Sequence, residues 1–270
     1  MHSKLIMLFL FLYHVSFSLK PLLLLPGIYE SNLMVTASHY SSLWYCPTEF
    51  DHELLWFNRK YVVPPLFNCL FELLQCDYDE TTDTITSVPG VHIDVQDFGG
   101  DQGLSYIDHG IGDVHFVKSF SHLMQTLKDL GYTIHHDLFG IPYDWRLTIS
   151  GFDSTNFYEQ LRLKIEYACR LNNQKVTLLG YSSGGLITHY FLTNIIDDEW
   201  KKKYIEKVIF LAPAFSGSAF SIEALWKQYI PIFPFLKSDE VKYTVQKIPV
   251  LYSLMPNFEV FKDIPIIYGP

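Results

Sequence analysis

Positive charge is scarce in this 270-residue sequence: 20 Lys and Arg stand against 29 Asp and Glu, for a net charge of −9. Binding a phosphate backbone needs a clustered basic face, so this balance argues against a nucleic-acid partner. It also gives no electrostatic pull toward anionic membranes, and any lipid affinity has to come from apolar and aromatic surface. No Asn-x-Ser/Thr sequon occurs, so N-glycosylation has no obvious acceptor. No apolar window reaches the length of an ordinary membrane span. There is no internal repeat and no low-complexity linker, and the length suits one domain with a full α/β core. The last absence concerns chemistry: none of the 11 histidines lies beyond His189.

Cysteine is sparse, but its setting makes it informative. Lys4 forms a short positive leader, residues 5–13 are apolar, and Ser16-Phe17-Ser18 places small residues at −3 and −1 of a cleavage after Ser18. Residues 1–18 therefore read as a secretory signal peptide, and the mature protein is expected to start near Leu19. Export makes the four cysteines disulfide candidates, with three complete pairings open. Cys46, Cys69 and Cys76 cluster, whereas Cys169 stands alone in a helical stretch and reads as a buried thiol.

What the sequence does contain is Gly180-Tyr181-Ser182-Ser183-Gly184, directly behind the apolar run Val176-Thr177-Leu178-Leu179. G-x-S-x-G after a buried strand and before a helix is the pattern of a nucleophile elbow. The sharp turn exposes the serine Oγ, and the glycines are needed because side chains there would strike the closing strand and helix. Around it runs a β-α alternation. Leu22-Leu23-Leu24-Leu25 reads as a strand buried on both faces, and Val91–Val95 as a half-exposed one. A helix is expected over 116–130, ending at Gly131, and then a strand beginning at Tyr132-Thr133-Ile134 and leading to Leu138-Phe139. A helix over 156–171, a strand over 175–179, the elbow helix to Thr193 and a strand over 207–211 follow. Such alternation predicts a mostly parallel sheet with helices on both faces.

Several segments together resemble the lecithin:cholesterol acyltransferase family, which includes lysosomal phospholipases. They are Leu24-Leu25-Pro26-Gly27, Cys46 to Cys69 with Trp56 between, Val88-Pro89-Gly90-Val91, Asp97-Phe98-Gly99, Gly131-Tyr132, and Ala212-Pro213 after the elbow helix. The most specific is Pro142-Tyr143-Asp144-Trp145-Arg146, a hallmark of that family. The resemblance implies an α/β-hydrolase core at residues 19–270, with a lid inserted at about 40–79 and closed by a Cys46–Cys69 disulfide. It implies an enzyme that takes an acyl chain from a glycerophospholipid onto Ser182 and passes it to a sterol, another lipid alcohol or water. The backbone N–H groups of Ser183 and Ile28 would form the oxyanion hole. No cofactor or metal is expected. Trp56 on the lid reads either as a lipid contact or as packing of the lid on the body, and Asp144 with Arg146 as a structural ion pair. The setting implied is a secreted, lysosomal or endomembrane lumen, with work at a membrane or lipoprotein surface.

Three departures accompany the resemblance. Glu30 stands where relatives carry glycine after the Pro-Gly turn. Phe215-Ser216-Gly217 stands near their aromatic-Gly-Gly pattern. In α/β-hydrolases the acid and then the histidine follow the serine, yet His189 sits two turns along the elbow helix, carried away from the active face, and Asp239, Glu259 and Asp263 lack the expected strand-end context. Pro265-Ile266-Ile267-Tyr268-Gly269 resembles the family's strand before the acid, and the sequence stops at Pro270. The expectation is a hydrolase domain lacking its C-terminal strands and inactive in this form. The alternative is a non-catalytic relative that binds lipid or protein.

Overall fold

In a computed structural model, residues 19–40, 43–108, 115, 117–230 and 239–262 are described. The expected signal peptide, Phe116, Asp263 and the expected strand around Ile266 lie outside these residues. In chain order the strands are β1 (Leu22–Leu25), β2 (Leu33–Ser38), β3 (Glu49–Trp56), β4 (Cys76–Asp79), β5 (Thr84–Ser87), β6 (Val91–Val95), β7 (Leu138–Gly140), β8 (Val176–Tyr181) and β9 (Ile205–Leu211). The helices used below are α1 (Phe67–Leu73), α2 (Gln102–Ser105), α3 (Ser121–Asp129), α4 (Phe157–Asn172) and α5 (Ser183–Tyr190).

The central sheet has the order β7-β1-β8-β9 and is parallel throughout. Its inner strand β1 explains the run of four leucines. Leu23 and Leu25 join the core that holds Leu161, Ile165 and Ala168 of α4, while Leu22 and Leu24 pack with Phe120 and Met124 at α3. A parallel strand covered on both faces has no polar side to show. Edge strand β9 differs: among the described residues it pairs only with β8, and Phe210 and Leu211 are 37 % and 48 % exposed. The expected fold class, an α/β-hydrolase-like core with a parallel sheet and a disulfide-closed segment, is the one observed. No helix among the described residues is long and apolar enough to cross a membrane.

Two local expectations change. Helix α3 is shorter than 116–130, running Ser121–Asp129 before Gly131 turns the chain at φ 101°. The residues after Tyr132 do not begin a strand. The Asp137 carboxylate accepts the Thr133 N–H (2.6 Å) and His135 sits at φ 63°, so these residues form a tight turn that delivers β7 three residues later.

A second, antiparallel sheet, β3-β2-β6, and the hairpin β4-β5 lie outside the parallel core. Cys46 and Cys69 are disulfide-bonded, tying the loop before β3 to α1. Closing a loop of 23 residues' separation removes about 3 kcal/mol of unfolded-chain entropy. Cys76 is a buried free thiol, which burial pushes up to about 11, and the half-buried Cys169 thiol donates to the Tyr204 carbonyl (3.3 Å).

Asp144 and Arg146 form the expected ion pair. Arg146, 1 % exposed at its side chain, donates to both carboxylate oxygens of Asp144 (2.9 and 2.7 Å). Its remaining N–H groups reach the Leu73 and Gln75 carbonyls and the Ser87 hydroxyl. A buried guanidinium needs each of these acceptors. The result fastens the pentapeptide loop to the end of α1 and to β5.

Candidate active site

Strand β8 ends in Tyr181, and α5 begins at Ser183. Between them Ser182 sits at φ 52°, ψ −119°, a backbone that L-residues reach only under strain. The surrounding contacts enforce it. Ser182 N–H donates to the Leu211 carbonyl (3.0 Å), and the Ser182 carbonyl accepts from Gly185 N–H (3.0 Å). A Cβ on Gly180 would fall 2.7 Å from the Gly185 Cα, and one on Gly184 would fall 2.3 Å from the Pro26 carbonyl oxygen. Both glycines of the sequence pattern are therefore fixed by close approach of main chain.

The turn after β1 faces this elbow. Gly27, Ile28 and Glu30 line a cavity of about 450 Å³ together with Ser182, Pro213 and Phe220. Ser183 is the first residue of α5, so no preceding turn accepts its N–H. Among the described residues the Ile28 N–H has no backbone acceptor either. The two donors expected to form an oxyanion hole thus belong to the two segments that meet at Ser182.

Tyr143, from the pentapeptide, joins those segments. Its buried hydroxyl lies 2.8 Å from the Pro26 carbonyl oxygen and 2.8 Å from the Ser183 hydroxyl. Its N–H donates to the Ser31 hydroxyl (3.1 Å). Sequence reasoning quoted Tyr143 as part of a motif and gave it no role, because the motif's spacing does not reveal which segments it spans.

The other expected site residues fall differently. Of the two readings of Trp56, packing is the one supported: it is 1 % exposed, its ring N–H donates to the Tyr29 carbonyl (2.8 Å), and it packs on Tyr29 and Trp145. Trp44, two residues before the disulfide-closed loop, is exposed at 94 %. His189 is exposed on α5, with its ring 5.5 Å from that of Phe215. Among the described residues no group hydrogen-bonds the Ser182 hydroxyl, and none of the three-residue His/Cys/Asp/Glu groups needed for a metal occurs.

The family model for lecithin:cholesterol acyltransferase matches residues 50–265. The chain belongs to the lecithin:cholesterol acyltransferase family. It is 30 % identical over 203 residues to the lysosomal phospholipase A and acyltransferase of Bos taurus, covering 74 % of this chain and 48 % of that one. It is 30 % identical over 221 residues to the lecithin-cholesterol acyltransferase-like 1 protein of Arabidopsis thaliana, covering 76 % and 50 %. With the phosphatidylcholine-sterol acyltransferase of Gallus gallus the identity is 28 % over 259 residues, covering 92 % and 60 %. The chain thus spans about half the length of the family relatives it matches.

Glu30, the departure in the turn after β1, closes that turn on itself. Its N–H donates to the Gly27 carbonyl (3.3 Å) and its carboxylate accepts the Gly27 N–H (2.7 Å). Burial raises its pKa, and the Gly27 N–H offsets only part of that rise. A carboxyl raised on folding contributes fully below its ordinary value of 4.5, and that contribution is lost as pH climbs through the raised one. Glu30→Gln should therefore flatten the fall in melting temperature as pH rises above 4.5. Parallel curves for the two proteins, followed by thermal melts across that range, would show that Glu30 is solvated.

Proposed function

We propose that this chain carries the acyl-enzyme half of a serine-dependent lipid O-acyltransferase or phospholipase, acting on glycerophospholipid esters. The observation that carries the reading is Ser182, strained at the elbow and facing a cavity that it shares with Ile28. Family membership supports the substrate class. Ser182 Oγ attacks the ester carbonyl carbon, and the resulting oxyanion accepts from the Ser183 and Ile28 N–H groups. The tetrahedral intermediate collapses, the lysophospholipid oxygen leaves with the proton that Ser182 gave up, and the acyl group stays on Ser182 until a lipid alcohol or water removes it. No cofactor enters these steps. The leader pattern at residues 1–18 and the disulfide support a secreted or lysosomal lumen as the place of work.

The test is covalent. In the complete protein a fluorophosphonate probe is expected to label Ser182, and Ser182→Ala should not be labelled; equal labelling of the two would remove Ser182 from the chemistry. The second reading, a lipid- or protein-binding relative without turnover, is favoured by the lack of any hydrogen-bond partner at the Ser182 hydroxyl among the described residues. A complete protein that resists the probe but still binds phospholipid vesicles would establish it.

Approach to lipid is proposed to use Trp44, whose indole stands almost wholly in water at the edge of the disulfide-closed segment. Exposed tryptophan suits the boundary between headgroups and acyl chains. Trp44→Ala is expected to weaken binding to neutral phosphatidylcholine vesicles by about tenfold, roughly the 1.4 kcal/mol of one partly buried ring. Unchanged vesicle sedimentation would assign the contact to other residues.

A further inference from the structure

The geometry points to Tyr143 as the positioning residue that sets the distance between the two oxyanion donors. This rests on the reading of Ser182 as nucleophile and goes beyond it in naming what holds its surroundings in place.

The direction of the hydrogen bonds follows from counting protons. A phenol has one O–H, and the Pro26 carbonyl can only accept, so Tyr143 spends its proton there. At the other contact Tyr143 must accept, and the Ser183 hydroxyl donates. The chain runs from Ser183 O–H to Tyr143 O–H to the Pro26 carbonyl, each link 2.8 Å. Burial raises the Tyr143 pKa above its ordinary value, which keeps the phenol protonated and excludes it as the base for Ser182.

The placement matters because of what lies at each end. Ser183 supplies one oxyanion donor from its own backbone. Ile28, two residues after Pro26, supplies the other. Tyr143 also donates its N–H to Ser31 on the far side of the same turn (3.1 Å), so the turn is held at both Pro26 and Ser31. The ring is wedged against Phe152 and Phe157, which leaves the phenol little freedom to move. Hydrogen bonding between β1 and β8 fixes the two segments only as far as Leu25 and Gly180. Beyond that pairing, Tyr143 is the cross-strut. An oxyanion donor acts only when its N–H stands within about 3 Å of the developing charge, so the loss of a strut should appear in the transition state more than in the ground state.

The experiment uses the complete protein and a soluble ester, p-nitrophenyl butyrate, so that binding at a lipid surface does not enter. Tyr143→Phe is expected to lower kcat by about 10- to 100-fold with KM within about twofold. Affinity for an alkylboronic acid, which forms a tetrahedral adduct on the serine, should fall in parallel. Ser183→Ala, which keeps its backbone N–H, should lower kcat in the same direction, and the double variant should be no slower than Tyr143→Phe alone. Ser183→Ala carries the test if Tyr143→Phe fails to fold. Wild-type kcat in both variants, or a loss of kcat with unchanged boronate affinity, would overturn the inference while leaving Ser182 in place. Wild-type turnover by Ser182→Ala in the same assay would overturn the active-site reading and this inference with it.

Discussion

Residues 19–270 expressed alone are expected to release fatty acid from phosphatidylcholine vesicles about 10⁴- to 10⁶-fold more slowly than a family member with a complete triad. Ser182→Ala should leave the residual rate unchanged. The reason is the fate of one proton. A serine hydroxyl is a weak nucleophile until a neighbouring base accepts its hydrogen. His189 is the histidine nearest the serine in sequence, and α5 carries it onto an exposed face beside Phe215. Glu30 lines the same cavity as Ser182, but its carboxylate is engaged with the Gly27 N–H. The strained elbow and the two N–H groups proposed as oxyanion donors can therefore be in place without turnover. A rate comparable to that of a complete relative, abolished by Ser182→Ala, would show that another group in this chain accepts the proton.

Gly184→Ala is expected to remove the folded elbow altogether. Its Cβ would lie 2.3 Å from the Pro26 oxygen, 2.4 Å from the Leu25 oxygen and 2.8 Å from the Leu25 carbonyl carbon. All three are main-chain atoms of β1 and its turn, so no side-chain rotation relieves the clash. The alternative is to part α5 from β1, which would pull on β8, the strand that leads into α5 and pairs its Gly180 with Leu25 of β1. Overpacking against fixed atoms costs about 3 kcal/mol, near 10 °C in melting temperature for a chain of this size. Probe labelling at Ser182 should vanish with it. A variant that melts with the wild type and still labels would mean that the two segments lie farther apart in solution.

The parallel core was legible because its inner strands are apolar: the four leucines of β1 and the run before Gly180 mark strands buried in a sheet. The elbow was legible because its glycines are demanded by main-chain contacts, which leave the same mark in any sequence. Strands β2 and β3 were not read. Each exposes part of its length, and β3 carries Glu49, Asp51, His52 and Glu53 among its apolar residues, so neither the continuous nor the alternating pattern stands out. Helix α3 was overextended chiefly at its start, since the apolar spacing begins before the helix does: Lys118 is still bridged to Tyr106, and the helix opens only at Ser121. At the site, the sequence left Trp56 open between a lipid contact and packing, because an aromatic in a loop rich in tryptophan and phenylalanine suits either. Its ring N–H found a carbonyl in the core instead, and Trp44 faces the water. Which tryptophan is buried depends on contacts with Tyr29 and Trp145, far away in sequence.

Within the pentapeptide, neighbouring side chains go to different places. Tyr143 reaches the elbow, Trp145 enters the aromatic core, and Arg146 grips the end of α1, the helix that the disulfide ties down. Only Asp144 and Trp145 therefore separate the side chain that reaches the elbow from the one that anchors α1, and the Trp145 ring between them is fully packed. Force applied at one end has little slack in which to dissipate. Under the proposed function, any load on the disulfide-tied segment would be passed through this loop to the turn beside Ser182, and substitutions that loosen the seat of Arg146 are expected to change turnover before they change lipid binding.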